Sequence, residues 1–219
     1  ITDKKEVAWY DPNASNILPE VSCKEPVTYG TGELHILLVD CGAKEGIIRS
    51  LVKRGARVTR VPYNAESAKY SYDGVVVSNG PGDPKHAKEP IAALKKLLAQ
   101  HVPKPLFGIC LGNQLLALAT GANTAKLAYG HRSQNQPCQD VETGRCYITS
   151  QNHGFAVLEE TLPKEWSVWF RNISDQTVEG IRHATKPFWA VQFHPEASPG
   201  PTDTGFLFDL FLDVCRNAK

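Results

Sequence analysis

The stretch Pro105-Leu106-Phe107-Gly108-Ile109-Cys110-Leu111-Gly112-Asn113-Gln114-Leu115-Leu116-Ala117-Leu118-Ala119-Thr120 decides the fold. Residues 105–109 read as a buried strand, and the apolar run from Leu111 to Thr120 reads as a helix. Between them lies Gly108-x-Cys110-x-Gly112. Small residues on both sides of a nucleophile let a strand reverse sharply into a helix, because they permit the close backbone approach and strained dihedrals of the turn. The turn places Cys110 at a helix N-terminus, where unpaired N–H groups and the helix dipole favour a thiolate over a thiol.

A reactive thiolate needs a proton carrier. His194-Pro195-Glu196 supplies an imidazole and, two residues on, a carboxylate on the same face of an extended chain. His153 is the rival imidazole, but nothing acidic flanks it, which favours His194. The expected catalytic set is therefore Cys110, His194 and Glu196.

Outward from the elbow the chain alternates. Strand-like runs at His35–Val39, Arg57–Pro62 and Gly74–Val77 are separated or followed by helical patterns at Lys44–Arg54 and Pro90–Gln100. Continuous apolar strands between amphipathic helices imply an α/β fold, with an open, mainly parallel sheet covered on both faces. From Ala125 to Phe193 the periods shorten, with runs at Cys146–Thr149, Phe155–Val157, Val168–Arg171, Gly180–His183 and Phe188–Phe193, so a smaller antiparallel β-rich portion is expected. A last helix over Thr204–Val214 presents Phe206, Leu207, Leu210, Phe211 and Val214 on one face. Residues 1–33 carry scattered prolines and no sustained period. They read as a linker or strap from a preceding domain, with 34–219 as the functional domain.

Two further segments bear on chemistry. Ser78-Asn79-Gly80-Pro81-Gly82-Asp83-Pro84 leaves the C-terminal end of a strand, where ligands sit in open parallel sheets. It lacks the Lys-Ser/Thr ending of a phosphate-binding loop. An oxyanion hole suits it better, with one N–H from this loop and one from Leu111, each such donor being worth about 3–4 kcal/mol in a transition state. Ser150-Gln151-Asn152-His153-Gly154-Phe155 reads as an amide-rich corner between strands, suited to recognising an amide or an amino acid.

Composition sets the bounds. With 219 residues and a formal net charge of +1, the chain carries no polybasic field for nucleic acid and no apolar run able to span a bilayer. Six dispersed cysteines without a C-x-x-C pair argue against a zinc site and a compact disulfide framework, and a cytoplasmic location is expected. The absence of Met, even at position 1, points to a piece or processed product of a longer chain.

The Ser78–Pro84 loop, Gly108-Ile109-Cys110-Leu111-Gly112-Asn113-Gln114-Leu115-Leu116, Ser150–Val157 and Gln192-Phe193-His194-Pro195-Glu196-Ala197-Ser198-Pro199-Gly200-Pro201 together resemble the class I (triad) glutamine amidotransferases, over roughly residues 34–215. Gln-Asn-His-Gly-Phe and the late Pro-Gly-Pro resemble, more narrowly, the glutaminase domains of carbamoyl phosphate synthetases. The resemblance implies Cys110 as nucleophile, His194 as acid and base, and Glu196 as its orienter. It further implies that Gly80, Gly82, Leu111, Gln114, Asn152, Gly154 and Phe155 hold L-glutamine, with another contact from a preceding small-subunit domain. No metal or cofactor is implied in this domain; ATP and Mg belong to the partner synthetase that receives ammonia. Asn113, where many relatives have His, and the loop Gly130–Pro137 depart from the commoner pattern. The pyrimidine and arginine/urea branches therefore both stay open. A catalytically weak regulatory domain and a stand-alone γ-glutamyl cysteine hydrolase are the alternatives.

Overall fold

A computed structural model describes residues 10–218; the first nine residues of the expected strap, and Lys219, lie outside the described residues. The strand-helix alternation is present as read. Strands β2 (Leu34–Asp40), β3 (Ala56–Pro62), β4 (Gly74–Val77), β5 (Leu106–Ile109) and β10 (Phe188–Val191) lie parallel in the order β3-β2-β4-β5-β10. The short strand β1 (Val27–Tyr29) adds antiparallel to the β3 edge.

Period-2 alternation splits the sheet into two apolar faces. Leu37, Val75 and Val77 point to one side, with Leu94 and Leu97 of helix α3 (Lys88–Leu98) and Leu115 and Leu116 of helix α4 (Leu111–Thr120). Ile36, Leu38 and Val76 point to the other, with Ile47, Ile48 and Leu51 of helix α2 (Glu45–Lys53) and Phe208, Phe211 and Cys215 of helix α5 (Phe206–Asn217). A sheet buried on both faces requires the unbroken apolar strands that the sequence shows.

The face of α5 differs from the expected one. Leu207, Phe208, Phe211, Leu212 and Cys215 are buried, while Phe206 and Leu210 are exposed. The helix is apolar around more than half its circumference, so i, i+3, i+4 spacing fits two overlapping stripes. Phe208 and Phe211 settle it by packing on Phe107 at the sheet centre, with ring centroids 6.0 and 5.8 Å away.

Past β10 the sheet turns antiparallel through β9 (Val178–His183), β7 (Cys146–Val157), β6 (Thr124–Asp140) and β8 (Trp166–Asn172). β8 also pairs with β9, so these four strands close on themselves. Two local expectations change here. Ser150–Phe155 is no corner but the middle of β7, and Gly130–Pro137 is no loop but part of the 17-residue β6 paired with it. β6 escaped notice because it is mostly polar and few of its residues are buried, and register shifts after Lys126 and Ser133 interrupt its alternation.

Residues 10–33 hold a short helix α1 (Leu18–Val21), whose Leu18 is buried, as well as β1. Asp40, at the end of β2, ties this segment down. Its carboxylate accepts from Cys23 N at 2.7 Å and from Arg60 Nε at 2.7 Å, and also caps the turn into α2 through Gly42 N and Ala43 N. Burial opposes its charge, but these donors outweigh burial and hold the carboxyl below its usual range.

Candidate active site

Strand β5 delivers Cys110 to α4 through a turn that only its neighbours permit. Cys110 has φ 56° and ψ −103°, a conformation that costs a non-glycine residue about 1–3 kcal/mol. A Cβ on Gly112 would lie 2.2 Å from Val77 O, and one on Gly108 would lie 2.7 Å from the Gly112 carbonyl. Gly112 is thus required by close packing on β4, and Gly108 by close packing on Gly112 and on Ala190 of β10. The strained Cys110 is held there by its N–H to Val191 O at 2.8 Å.

The loop after β10 brings His194 and Glu196 to the thiol. His194 N–H donates to Ser150 O of β7 at 2.9 Å, and His194 Nδ1–H donates to Glu196 Oε1 at 2.7 Å. The ring and Cys110 line the same cavity. With Nδ1 engaged by Glu196, Nε2 is the nitrogen left for sulfur. Burial alone would lower the His194 pKa. The nearby negative charge of Cys110, followed by the hydrogen bond and charge of Glu196, prevails and pushes it up to about 10. Glu196 is buried too, yet the His194 bond and charge and the Lys44 ammonium keep its pKa low. His153 does not compete: its Nδ1 faces Phe155 O at 2.9 Å and its Nε2 faces Gln151 Oε1 at 3.1 Å.

Two residues with a part in this arrangement were not among the expected ones. Lys44 Nζ lies 3.1 Å from Glu196 Oε1 and donates to Ala197 O at 2.6 Å, clamping the His-Pro-Glu turn to the start of α2. Gln192, fully buried, has its amide orientation fixed. Its Oε1 accepts from Asn113 Nδ2 at 3.3 Å and Gln114 Nε2 at 3.1 Å, which directs its Nε2–H to Cys110 Sγ at 3.7 Å. No local signal marks Lys44. For Gln192, lying two residues before His194 was the available hint.

A cavity of about 830 Å³ opens over Cys110 and His194. Of the residues expected to hold substrate, Gly80, Gly82, Gln114, Asn152, Gly154 and Phe155 line it, joined by Lys126, Arg132 and Gln134. Leu111 does not line it; its side chain is core, packed where a Cβ on Gly80 would meet it at 2.7 Å. The N–H of Leu111 opens α4 and has no intrahelical acceptor. The Ser78–Pro84 loop is laced to the β2–α2 turn. Cys41 N donates to Ser78 Oγ at 2.9 Å, Lys44 N to Asn79 Oδ1 at 2.9 Å, and Asn79 Nδ2 to Gly42 O at 3.1 Å. Among the described residues no helix is long and apolar enough to cross a membrane, and all six cysteines are free thiols.

A thiol on a strained strand-to-helix elbow, with an imidazole and a buried carboxylate at the C-terminal ends of a doubly wound sheet, defines an α/β protein with an elbow of the kind that presents a nucleophile. Residues 37–214 match the family Glutamine amidotransferase class-I, and the chain belongs to that family. It is 51% identical, over its whole length, to the multifunctional protein CAD of Squalus acanthias, of which it spans 10%. It is 48% identical to the carbamoyl phosphate synthase arginine-specific small chain of Aspergillus oryzae, with 98% of this chain and 48% of that one covered. The mitochondrial carbamoyl-phosphate synthase [ammonia] of Aquarana catesbeiana is also 48% identical, over 97% of this chain and 14% of its own. The chain thus spans between a tenth and a half of these relatives. Among solved structures, a putative GMP synthase protein from Thermoplasma acidophilum superposes with a TM-score of 0.73 at 25% identity, covering 84% of this chain and 94% of that one.

Proposed function

We propose that this domain hydrolyses the side-chain amide of L-glutamine and passes the ammonia to a carbamoyl phosphate synthetase. The observation that carries the reading is the Cys110–His194–Glu196 relay opening into a cavity lined by Gln114, Asn152 and Phe155. The Cys110 thiolate attacks the carboxamide carbon and the carbonyl electrons move onto oxygen, which the N–H groups of Gly82 and Leu111 receive. Collapse expels the nitrogen as ammonia, with the proton given by His194 Nε2–H, and leaves a γ-glutamyl thioester. Water, deprotonated by the now neutral His194, attacks the thioester; collapse releases glutamate and returns the thiolate–imidazolium pair. Glu196 holds the Nδ1 proton in place throughout, keeping the useful tautomer. The sequence balances with glutamine, water and these side chains, so ATP and Mg are needed only by the synthetase.

The names of the relatives, a multifunctional protein CAD and an arginine-specific carbamoyl phosphate synthase small chain, support the synthetase partner and leave both branches within the reading. A preceding small-subunit domain would add a further glutamine contact. Six free thiols fit a reducing compartment such as the cytoplasm. In the complete synthetase, Cys110→Ser should abolish glutamine-dependent carbamoyl phosphate synthesis while sparing the ammonia-dependent reaction. Parental glutamate release from that variant would overturn the assignment of the nucleophile.

A further inference from the structure

The wall of the cavity holds a second cluster, which the relay does not use. His131 of β6, His153 and Gln151 of β7 and Glu179 of β9 converge in the closed antiparallel portion. The ligating atoms of His131, His153 and Glu179 all lie within 4.8 Å of one another. His131 Nδ1 is 2.8 Å from Gln151 Oε1 and 3.1 Å from Glu179 Oε1, and His153 Nε2 is 3.1 Å from Gln151 Oε1 and 3.5 Å from Glu179 Oε1. These four of the six edges bracket the about 3.3 Å ligand-to-ligand edge of a tetrahedron with bonds of about 2.0 Å, while the edge between the two rings, within 4.8 Å, has to shorten as an ion draws them together.

The far side of each ring is also built. His131 Nε2 faces the Asp175 carboxylate at 2.8 Å and His153 Nδ1 faces Phe155 O at 2.9 Å. An acceptor behind each imidazole is the arrangement that orients histidines on a metal and fixes their tautomer. Gln151 is oriented as well, its Nε2–H donating to Thr149 Oγ1 at 3.0 Å and Cys138 Sγ at 3.2 Å, which turns its oxygen inward.

Two further observations point to a cation. Glu179 is fully buried, and its Oε2 has no hydrogen-bond partner. In addition, every nitrogen of both rings faces an acceptor. Without a cation between them, each ring needs a second proton to satisfy its contacts, which would set two imidazolium charges in rings whose centroids are 4.8 Å apart. One divalent ion replaces both protons.

We propose that His131 Nδ1, His153 Nε2, Glu179 and Gln151 Oε1 form a binding site for one divalent transition-metal ion, with zinc the ion that this N2O2 donor set suits. The ion joins β6, β7 and β9. It enters through the active-site cavity, since His153 and Gln151 line that cavity. Its role is to brace the wall that carries Asn152 and Gly154.

The test uses the chain with Cys110→Ser and Cys146→Ser, so that neither the active-site thiol nor the exposed one competes for metal. After stripping with chelator, Zn²⁺ is titrated by calorimetry in buffers of different ionisation enthalpy, and Co²⁺ by visible absorption. One ion per chain is expected, with proton release and a tetrahedral Co²⁺ spectrum. Asp175→Asn, at a half-exposed residue behind the ring, should weaken binding about 10- to 100-fold, and His131→Asn should weaken it by more. Circular dichroism verifies the fold, and Asp175→Asn keeps the test valid should His131→Asn not fold. Absence of stoichiometric binding, or binding unmoved by Asp175→Asn, would overturn the proposal.

Discussion

Glu196→Gln is the most searching test of the relay, because it keeps shape and removes charge. The carboxylate accepts from His194 Nδ1 at 2.7 Å while its other oxygen, Oε2, is buried and unpartnered. Replacing a charge-assisted bond by a neutral one costs roughly 1–2 kcal/mol in stabilising the imidazolium. That alone is a loss of about 5- to 30-fold in kcat. The amide must then choose. If its oxygen takes the Nδ1 proton, its NH2 lies where Oε2 was, buried without an acceptor, at a cost of about 1–3 kcal/mol. If it turns round, its N–H meets Nδ1 and drives the proton to Nε2, the tautomer that cannot accept a proton from Cys110; in a hydrolase triad that error costs about 10⁴ in kcat. The expected loss is therefore about 10² to 10⁴ in steady-state glutamate release, with little change in KM because Glu196 lies behind the cavity rather than in its lining. A kcat within about threefold of the parent, a barrier change under about 0.7 kcal/mol, would refute the role given to Glu196.

Turnover should hold up into alkaline solution and decline as the pH rises through about 10, since the imidazolium is the acid for the leaving nitrogen and His194 is protonated below that value; in a pH–kcat profile Glu196→Gln should move this limb to lower pH. Gly112→Ala places a Cβ 2.2 Å from Val77 O, a backbone atom that cannot step aside, and thermal melts should show roughly 1–3 kcal/mol of destabilisation. Asp40→Asn removes a buried carboxylate from Arg60 and three N–H groups, and should cost about 3 kcal/mol at neutral pH, or roughly 6–12 °C in Tm. Because folding lowers the Asp40 pKa, its contribution is present above 3.8 and is lost as the pH falls toward the folded value, so the two melting curves should converge in acid.

The parallel half of the fold was legible because burial on both faces leaves a strong mark. Gly74–Val77 and Leu106–Ile109 have no choice but to be apolar throughout, and α4 spans the predicted Leu111–Thr120. The antiparallel half was legible only where side chains are buried, as at Phe155–Val157 in β7. In β6 the side chains alternate between solvent and a polar interior containing His131, so hydropathy carries no period there, and the strand passed for a loop. The α5 stripe failed for the opposite reason: too many apolar positions rather than too few, with the choice made by Phe107 across the core.

The site divides along a similar line. Cys110, Gly108 and Gly112 were legible because one tight turn imposes its demands on neighbours in sequence, and His194 with Glu196 because the relay lies within three residues. What holds these groups in register comes from elsewhere in the chain: Lys44 reaches Glu196 from the start of α2, and Gln192 reaches Cys110 with its amide fixed by Asn113 and Gln114. Those contacts arise only once β10 lies beside β5, in register Val191 to Ile109, and carries the His194 loop over the elbow. The elbow that presents Cys110 is therefore a property of a short stretch of sequence, whereas its pairing with the His194 imidazole is a property of the sheet. The His131–His153–Glu179 cluster goes a step further, since its three residues come from three strands and no spacing relates them. A spacing rule that asks for two ligands in one motif passes over such a site, which becomes visible only when β6, β7 and β9 close into one wall.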